Sequence, residues 1–226
     1  MKSAIIIFPG TNREREMITA LGEALGNQPY VIWHGENNFP QVDLIVLPGG
    51  FSYGDYLRPG SMAANSPIIA EIINRANKGV YVLGICNGFQ VLTEARLLPG
   101  ALMRNIDLNF ICREVYLRTE NPNSQFLQKY NSGEVVKIPV AHHDGNYYAS
   151  EDILDDLEQR DLVAFRYCSS DGQTSESFNP NGSKRNIAGI YNHNRNVLGM
   201  MPHPENAFAL PSDHGRRLFM GFADII

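Results

Sequence analysis

The chain has 226 residues, 43% of them hydrophobic and 19% charged, with a formal net charge of −5. This length and composition are typical of a soluble globular protein with a sizeable core, and the acidic balance gives no reason to expect nucleic acid or an anionic membrane as a partner. The three cysteines are too few and too scattered for a disulfide framework or a zinc site, and we expect Cys112 and Cys168 to pack in the core.

The N-terminal segment is a candidate strand and not a targeting signal. It has a single basic residue, Lys2, followed by a short apolar run from Ala4 to Phe8. That run is too short for a signal peptide, and no other apolar run is long enough to span a bilayer. We therefore expect a cytoplasmic protein without a membrane partner.

The first hundred residues alternate between strand and helix patterns. Apolar runs predict strands at Ser3 to Phe8, Tyr30 to Trp33, Asp43 to Leu47 and Val80 to Ile85. Helical spacing predicts three helices: one capped by Asn12, one that starts at Ser66-Pro67, and one from Phe89 to Leu97. This alternation predicts an α/β fold, an open and mostly parallel sheet with helices on both faces.

After residue 100 the pattern changes to strands and turns. Extended segments are predicted at Phe110 to Leu117, Val135 to Val140 and Leu162 to Tyr167, and a hairpin at Ile187 to Tyr191 and Val197 to Met200. A polar loop is predicted at Ser169 to Lys184, between the last of these segments and the hairpin. A last helix is predicted from about Ser212 to Ile226, with inward residues Leu218, Phe219, Phe222 and Ile225. With no internal repeat or linker, we expect one domain, residues 1–226.

Cys86 stands between a buried strand and a helix, flanked by Gly84 and Gly88. A lone buried cysteine is more often a small core residue. The strand–Gly–x–Cys–x–Gly–helix pattern, however, is that of a nucleophile elbow, in which unpaired N–H groups and the helix dipole favour the thiolate. The pattern therefore favours Cys86 as a catalytic nucleophile.

A loop rich in glycine, Pro48 to Asp55, follows another predicted strand. Ligands of open α/β sheets bind at the carboxyl ends of the strands. Because this loop and Cys86 both follow parallel strands, we expect them to lie side by side at that edge.

His203 and Glu205 form a second constellation, within Met201-Pro202-His203-Pro204-Glu205. The prolines disfavour helix at the residues before them, and in an extended segment side chains two apart point the same way. A nucleophilic cysteine needs a base, and a carboxylate can orient that base. A structural histidine or a metal ligand is the alternative, but no Cys/His cluster with ligand spacing accompanies the pair.

These two constellations resemble the triad of class I glutamine amidotransferases. The resemblance covers nearly the whole chain and includes Phe8 to Asn12, Leu47 to Gly60, Leu97 to Leu102, Val163 to Tyr167, Asn179 to Ser183 and Gly199 to Glu205. Within the class the chain is similar to glutaminases of purine biosynthesis that supply ammonia to a separate synthetase. The resemblance implies a flavodoxin-like fold with an additional strand-rich segment.

The resemblance also implies a role for each matching residue. Cys86 would attack the side-chain amide of L-glutamine, His203 would act as base and acid, and Glu205 would orient His203. The predicted oxyanion donors are backbone N–H groups of Gly50, Phe51 and Asn87. The predicted substrate contacts are Gly49, Gln90, His142 and His143; for Gln90 the alternative is a solvated helix residue. Tyr53, Asp55 and Arg58 would face either a partner or solvent.

The chain departs from the family pattern at two places. His143 stands where the family usually has glycine in Ala141-His142-His143-Asp144-Gly145, so a backbone contact that needs a positive φ there is in question. The first loop reads Asn12-Arg13-Glu14, where the family commonly has Asn-Cys-Asp. Neither departure touches the triad.

The resemblance implies two protein partners: the synthetase subunit, and with it a small accessory subunit. The sequence has no Gly-x4-Gly-Lys-Ser/Thr phosphate loop, so we expect no cofactor and no metal on this chain, and ATP and Mg on the synthetase. Two alternatives remain. One is a catalytically silent regulatory subunit, which would predict a broken triad. The other is a redox-sensing or chaperone-like cysteine-elbow protein, which leaves His203-Pro204-Glu205 unexplained.

Overall fold

The computed structural model describes residues 1–209 and 212–223. Its strands are Ser3–Ile7 (β1), Tyr30–Trp33 (β2), Leu44–Leu47 (β3), Tyr81–Ile85 (β4), Ala101–Met103 (β5), Ile111–Thr119 (β6), Val135–His142 (β7), Asn146–Tyr148 (β8), Val163–Cys168 (β9), Ile187–Tyr191 (β10) and Val197–Met200 (β11). Its α-helices are Glu14–Leu25 (α1), Pro67–Asn77 (α2), Asn87–Glu94 (α3), Glu151–Gln159 (α4) and Arg216–Met220 (α5). Short 3₁₀ helices lie at Ser52–Asp55, Ala63–Asn65, Glu176–Phe178, Lys184–Asn186 and Pro204–Ala207.

One large sheet joins the two halves of the chain, in the order β2-β1-β3-β4-β11-β10-β9-β6-β7. The neighbours from β2 to β11 run parallel, and those from β11 to β7 run antiparallel. The parallel strands β3 and β11 are buried along their whole length, because the sheet is covered on both faces there. The predicted α/β class, with a strand-rich addition after residue 100, is confirmed.

Helices α1 and α2 cover opposite faces of the parallel strands. Helix α1 connects β1 to β2, and α2 connects β3 to β4, so the two connections step in opposite directions along the sheet. Because such crossovers are right-handed, the two helices fall on opposite faces. Helix α3 packs against β4 and its neighbours β3 and β11.

Several predicted elements differ from the structure. Asn12 does not cap α1: the cap position is Arg13, and the Asn12 N–H instead donates to the Gly49 carbonyl at 3.3 Å. Helix α4 and the two-stranded β5–β8 sheet are missing from the predicted elements. The last helix begins at Arg216, with Leu218, Phe219 and Phe222 buried, whereas Ile225 lies outside the described residues.

Cys112 is exposed, so the prediction that it packs in the core is wrong, whereas Cys168 is buried as expected. The reason lies in the sheet: β6 pairs with β7 from residue 111 onward, but with β9 only from Tyr116. The start of β6 therefore extends beyond the covered part of the sheet. No helix within 1–209 and 212–223 is both long and apolar enough to cross a membrane.

The outer edge of β7 is bonded to segments other than strands. Alternate residues direct backbone groups to this side: the Lys137 N–H donates to His214 Nδ1 at 3.0 Å, and the Pro139 carbonyl accepts from the His203 N–H at 2.8 Å. The next carbonyl on that side, of Ala141, lies 3.7 Å from Cys86 Sγ. This edge therefore fixes the backbone of His203 and faces Cys86.

Candidate active site

Cys86 forms the sharp corner between β4 and α3. Its backbone has φ 50° and ψ −104°, a conformation that residues with a Cβ rarely adopt. The flanking glycines are needed for close packing: a Cβ on Gly88 would overlap the carbonyl of Leu47, and one on Gly84 would crowd Leu92 and Gly88. The predicted elbow is thus present, with the positive φ on Cys86 itself.

The strain at Cys86 predicts that this residue lowers the stability of the fold. We expect the Cys86→Gly variant to be more stable than Cys86→Ala, with a free energy of unfolding about 1 kcal/mol higher. The strain that a Cβ causes at this corner is larger than the entropy cost of glycine. Urea denaturation of both variants measures this. The same two substitutions at Cys168, in β9, are the control, and at that position the glycine variant should be less stable than the alanine variant. Lower stability of glycine at both positions would contradict the prediction.

His203 and Glu205 form a buried pair. His203 Nδ1 lies 2.7 Å from Glu205 Oε1, as the sequence pattern predicts. The predicted extended backbone is wrong for Glu205, which lies in the 3₁₀ helix Pro204–Ala207. Pro204 stands at the first position of this helix, where proline is favoured. The helical backbone also brings the Glu205 carboxylate to the imidazole of His203.

Cys86 and His203 line one small cavity of about 50 Å³, together with Asn12, Arg13, Gly50, Phe51, Phe110 and Ala141. A larger cavity, of about 500 Å³, lies between α3, α4 and the β10–β11 hairpin and contains none of the predicted site residues. We place the site at the smaller cavity because Cys86 and the buried His–Glu pair meet there. Within the described residues, His203 Nε2 has no hydrogen-bond partner.

Electrostatics at the cavity favour a charged His203. Burial alone would lower the pKa of His203, but the Glu205 carboxylate and the Cys86 sulfur outweigh burial and raise the pKa above its ordinary value. The reverse holds at His142, where burial, with a smaller contribution from the charge of His203, lowers the pKa to about 3. His203 is thus suited to donate a proton, whereas His142 is neutral.

The glycine loop lies beside the cavity, and its backbone pairs with the first loop. The Phe51 N–H donates to the Gly10 carbonyl at 2.9 Å. In this conformation the Phe51 N–H is therefore already bonded, and its part in the oxyanion hole stays a prediction. The Gly50 N–H takes no part in this pairing, and Asn87 is the first residue of α3, where an N–H has no acceptor within the helix.

Gln90 is buried, with 4% of its surface exposed, so the alternative of a solvated helix residue is wrong. Its amide is the centre of a chain of hydrogen bonds. The Ser52 N–H donates to Asn87 Oδ1 (3.2 Å), Asn87 Nδ2 donates to Gln90 Oε1 (2.8 Å), and Gln90 Nε2 donates to the Asp144 carbonyl (2.7 Å). Gln90 therefore links α3 to the segment after β7, and its contact with substrate stays a prediction.

The predicted substrate contacts at His142 and His143 lie in different surroundings. His142 is buried, with Nδ1 3.1 Å from Asn105 Oδ1 and Nε2 3.5 Å from Asn181 Nδ2, so both ring nitrogens face buried asparagines and its contact with substrate stays a prediction. His143 is partly exposed and has no positive φ, so a side chain there strains nothing. Gly49 lies against His203 and has no room for a side chain.

Sequence reasoning missed the residues that support the site. Asn105 has no signal in its own segment, and the Asn181-Gly182-Ser183 string indicates only a turn. Ser52 and Ala141 act through backbone atoms, which leave no mark on residue type. Arg13, at the departure from the family pattern, lines the cavity.

Comparison with known proteins points to one family. The model of the CobB/CobQ-like glutamine amidotransferase domain matches residues 1–214. The chain is 56% identical to phosphoribosylformylglycinamidine synthase subunit PurQ of Rhodospirillum rubrum, over 99% of both chains. It is 53% identical to the subunit of that name from Rhizobium etli, over 100% of this chain and 99% of the other.

Solved structures agree with this result. A chain in the structure of PurLQS from Thermotoga maritima has a TM-score of 0.85 and 38% identity, over 97% of this chain and 96% of that one. A glutamine amidotransferase from Thermotoga maritima has a TM-score of 0.58 at 16% identity, over 99% and 90% of the two chains. The second likeness concerns the fold alone.

Proposed function

The chain belongs to the CobB/CobQ-like glutamine amidotransferase family, and from this membership we propose that it is the glutaminase subunit of phosphoribosylformylglycinamidine synthase. It hydrolyses L-glutamine to L-glutamate and ammonia. The ammonia passes to a separate ATP-dependent synthetase subunit, which converts formylglycinamide ribonucleotide to formylglycinamidine ribonucleotide in de novo purine biosynthesis. The observation that carries the proposal is the shared cavity of Cys86 and His203, with Glu205 bonded to the far side of the imidazole at 2.7 Å.

The reaction follows from this arrangement. The Cys86 thiolate attacks the side-chain carbonyl carbon of glutamine, and the electron pair moves to the oxygen, which the N–H groups of Gly50 and Asn87 are predicted to stabilise. When the adduct collapses, the C–N bond breaks and His203 gives its proton to the leaving nitrogen. Water then attacks the glutamyl thioester and gives a proton to His203. The adduct expels the Cys86 thiolate, which releases glutamate and restores the thiolate beside a protonated His203.

The partners are the synthetase subunit, on which ATP and Mg act, together with a small accessory subunit. Similarity to a chain in the PurLQS structure supports this assembly. The proposed activity supports a cytoplasmic location for the chain. An intact constellation of Cys86, His203 and Glu205 speaks against a silent subunit, and the buried His–Glu pair speaks against a redox sensor or chaperone.

A collar of exposed apolar side chains lies on the two loops that carry Phe51 and Phe110, and it is suited to dock the synthetase. Phe51 and Phe110 line the cavity with ring centroids 6.4 Å apart, and the loops that carry them expose further large side chains. We define the collar as Phe51, Tyr56, Leu57, Met62, Ile106, Leu108 and Phe110, all at least 40% exposed. Exposed apolar groups of this density are typical of an interaction surface. Docking here would close the site over the ammonia.

Docking also offers a means of activation. In the free chain the Phe51 N–H is bonded to Gly10, so one predicted oxyanion donor is not in use. Gly54, with φ 75°, gives the loop conformational freedom. If docking moves the loop and frees this N–H, one donor is worth roughly 10²–10³ in rate. The free chain is then a poor glutaminase, which prevents loss of ammonia when no acceptor is bound.

The test of the function compares glutamate production by the purified chain with production after the synthetase, the small subunit and the nucleotide ligands are added. Glutamate and the amidine product should then form in equal amounts, and faster than glutamate forms from the chain alone. A free chain that already runs at the rate of the complex would contradict the activation. A complex that makes no product from glutamine would contradict the function.

Substitution in the collar should weaken docking. Leu57 is 65% exposed, and Leu57→Glu is expected to raise the synthetase concentration for half-maximal glutamate production about tenfold, because a charge must be buried at the interface. The control is Tyr30→Glu. Tyr30 is also exposed, at 41%, but lies at the start of β2, the end of the sheet opposite to Cys86. If both variants have the same effect, or if Leu57→Glu has no effect, the collar is not part of the interface with the synthetase.

A further inference from the structure

A group of buried polar side chains behind the cavity has no part in the chemistry described above. Asn105, His142, Asn181 and Ser183 are each at most 3% exposed and come from three separate segments. Buried polar groups are costly unless they are hydrogen-bonded, so a network of this kind must be fully connected. The four converge on one feature, the backbone from Ala141 to Gly145, which we call the 141–145 turn.

Asn105 holds this turn at several points. Its Nδ2 donates to the His142 carbonyl (3.0 Å), its Oδ1 accepts from the Gly145 N–H (3.0 Å), and its own N–H donates to the His143 carbonyl (2.9 Å). Asn105 thereby fixes His142, to whose nitrogen the Ala141 carbonyl is bonded, and Gly145 at the far end of the turn. No shift of the turn is possible without loss of several of these bonds.

Asn181 and Ser183 hold the far end. Asn181 Nδ2 donates to the Gly145 carbonyl at 2.8 Å, and Ser183 Oγ lies 3.2 Å from the same oxygen. Asn181 Oδ1 accepts from the Ser183 N–H at 3.1 Å, which fixes the two side chains relative to each other. The neutral His142 joins both asparagines, with Nδ1–H toward Asn105 and Nε2 as acceptor toward Asn181.

Two backbone carbonyls of the turn face residues of the predicted site. The Asp144 carbonyl accepts from Gln90 Nε2, and the Ala141 carbonyl lies 3.7 Å from Cys86 Sγ on the outer side of β7. The amide nitrogen of bound glutamine is bonded to the carbon that Sγ attacks, so it lies within two bonds of the sulfur. The Ala141 carbonyl is therefore within reach of that nitrogen. A carbonyl accepts from a carboxamide N–H and repels a carboxylate.

We propose that Asn105 and Asn181 are positioning residues that hold the Ala141 carbonyl where it accepts a hydrogen bond from the carboxamide nitrogen of glutamine and disfavours the carboxylate of glutamate. The proposal rests on the proposed function. It assigns the choice between substrate and product to one backbone oxygen. Release of glutamate after hydrolysis is aided by the same repulsion.

The test measures, in the assembled enzyme, KM and kcat for glutamine and the inhibition constant for glutamate. The quantity of interest is a ratio, the inhibition constant for glutamate divided by KM for glutamine. In Asn105→Ala and Asn181→Ala this ratio should fall about tenfold or more, because the Ala141 carbonyl is no longer held in place. A loss of stability alone lowers the amount of active enzyme and leaves this ratio unchanged.

Asn196→Ala is the matched control. Asn196 is also buried, and its Nδ2 donates to the carbonyls of Ala76 (2.7 Å) and Val80 (2.9 Å), but it lies beside the start of β4, at the end opposite to Cys86. Ser183→Ala removes one contact to the Gly145 carbonyl and can be measured if neither asparagine variant folds. In this variant the ratio of the glutamate inhibition constant to KM for glutamine should fall about threefold.

A wild-type ratio in every folded variant of Asn105, Asn181 and Ser183, or an equal fall in Asn196→Ala, would overturn the proposal. A wild-type enzyme that forms no glutamate from glutamine would overturn the proposed function instead.

Discussion

Cys86→Ser in the assembled enzyme is expected to lower glutamine-dependent formation of formylglycinamidine ribonucleotide by more than about 10³-fold, as is usual when a nucleophile is removed. Serine is close in size to cysteine and fits the strained corner at φ 50°, so the fold and the docking surface should persist. The loss has a chemical cause: a hydroxyl ionises far less readily than a thiol, and His203 with Glu205 is arranged for a sulfur nucleophile.

The same variant should retain most of its rate when ammonium salts replace glutamine. The thiolate liberates ammonia but takes no part in its later use by the synthetase. Product formation with each nitrogen source, measured on one preparation, therefore provides an internal control. Equal loss with both sources would show that the two reactions are not divided between the subunits as proposed.

His203→Asn is expected to lower kcat for glutamine hydrolysis by about 10²-fold or more, because one side chain serves both as base for water and as acid for ammonia. Asparagine can still bond to Glu205, so the buried carboxylate keeps a partner and the fold should survive. His193→Asn, at an exposed histidine in the turn between β10 and β11, is the control and should leave kcat unchanged. Near-native turnover of His203→Asn at neutral pH would disprove its role.

The role of Glu205 can be separated from that of His203 by the pH profile. Burial lowers the pKa of His203, and the Glu205 carboxylate is the largest of the effects that raise it. Glu205→Gln keeps an oxygen near Nδ1 but removes the charge, so the pKa of His203 should fall. His203 then loses its proton at a lower pH, so the alkaline limb of the kcat profile should move to lower pH. At the pH optimum, kcat should fall by less than in His203→Asn.

The parallel half of the sheet and the nucleophile corner could be predicted from sequence because their signals are local. The apolar run from Val80 to Ile85 and the glycines on either side of Cys86 stand together in the chain, so a short stretch of sequence records them. Helix α4 also carries local signals, Ser150 at its cap and Leu154 and Leu157 on its buried side, which the strand-rich surroundings obscured.

Other features depend on contacts that no local pattern records. The Phe51 N–H is bonded to Gly10 because two loops meet at the edge of the sheet, and Cys112 is exposed because β9 ends short of it. Asn105 supports a turn that lies nearly forty residues further along the chain. Such roles follow from tertiary structure, since an asparagine in a loop is compatible with many environments.

The outer edge of β7 has a consequence for the solubility of the chain. An unpaired strand edge can pair with a strand of another molecule and lead to aggregation. Here the Lys137 N–H and the Pro139 carbonyl are bonded to His214 and His203, and the proline offers no N–H to an invading strand. The segment that carries His203 thus also protects the sheet from intermolecular pairing. Substitutions that loosen it would cost soluble protein as well as turnover, which restricts how far evolution can alter it.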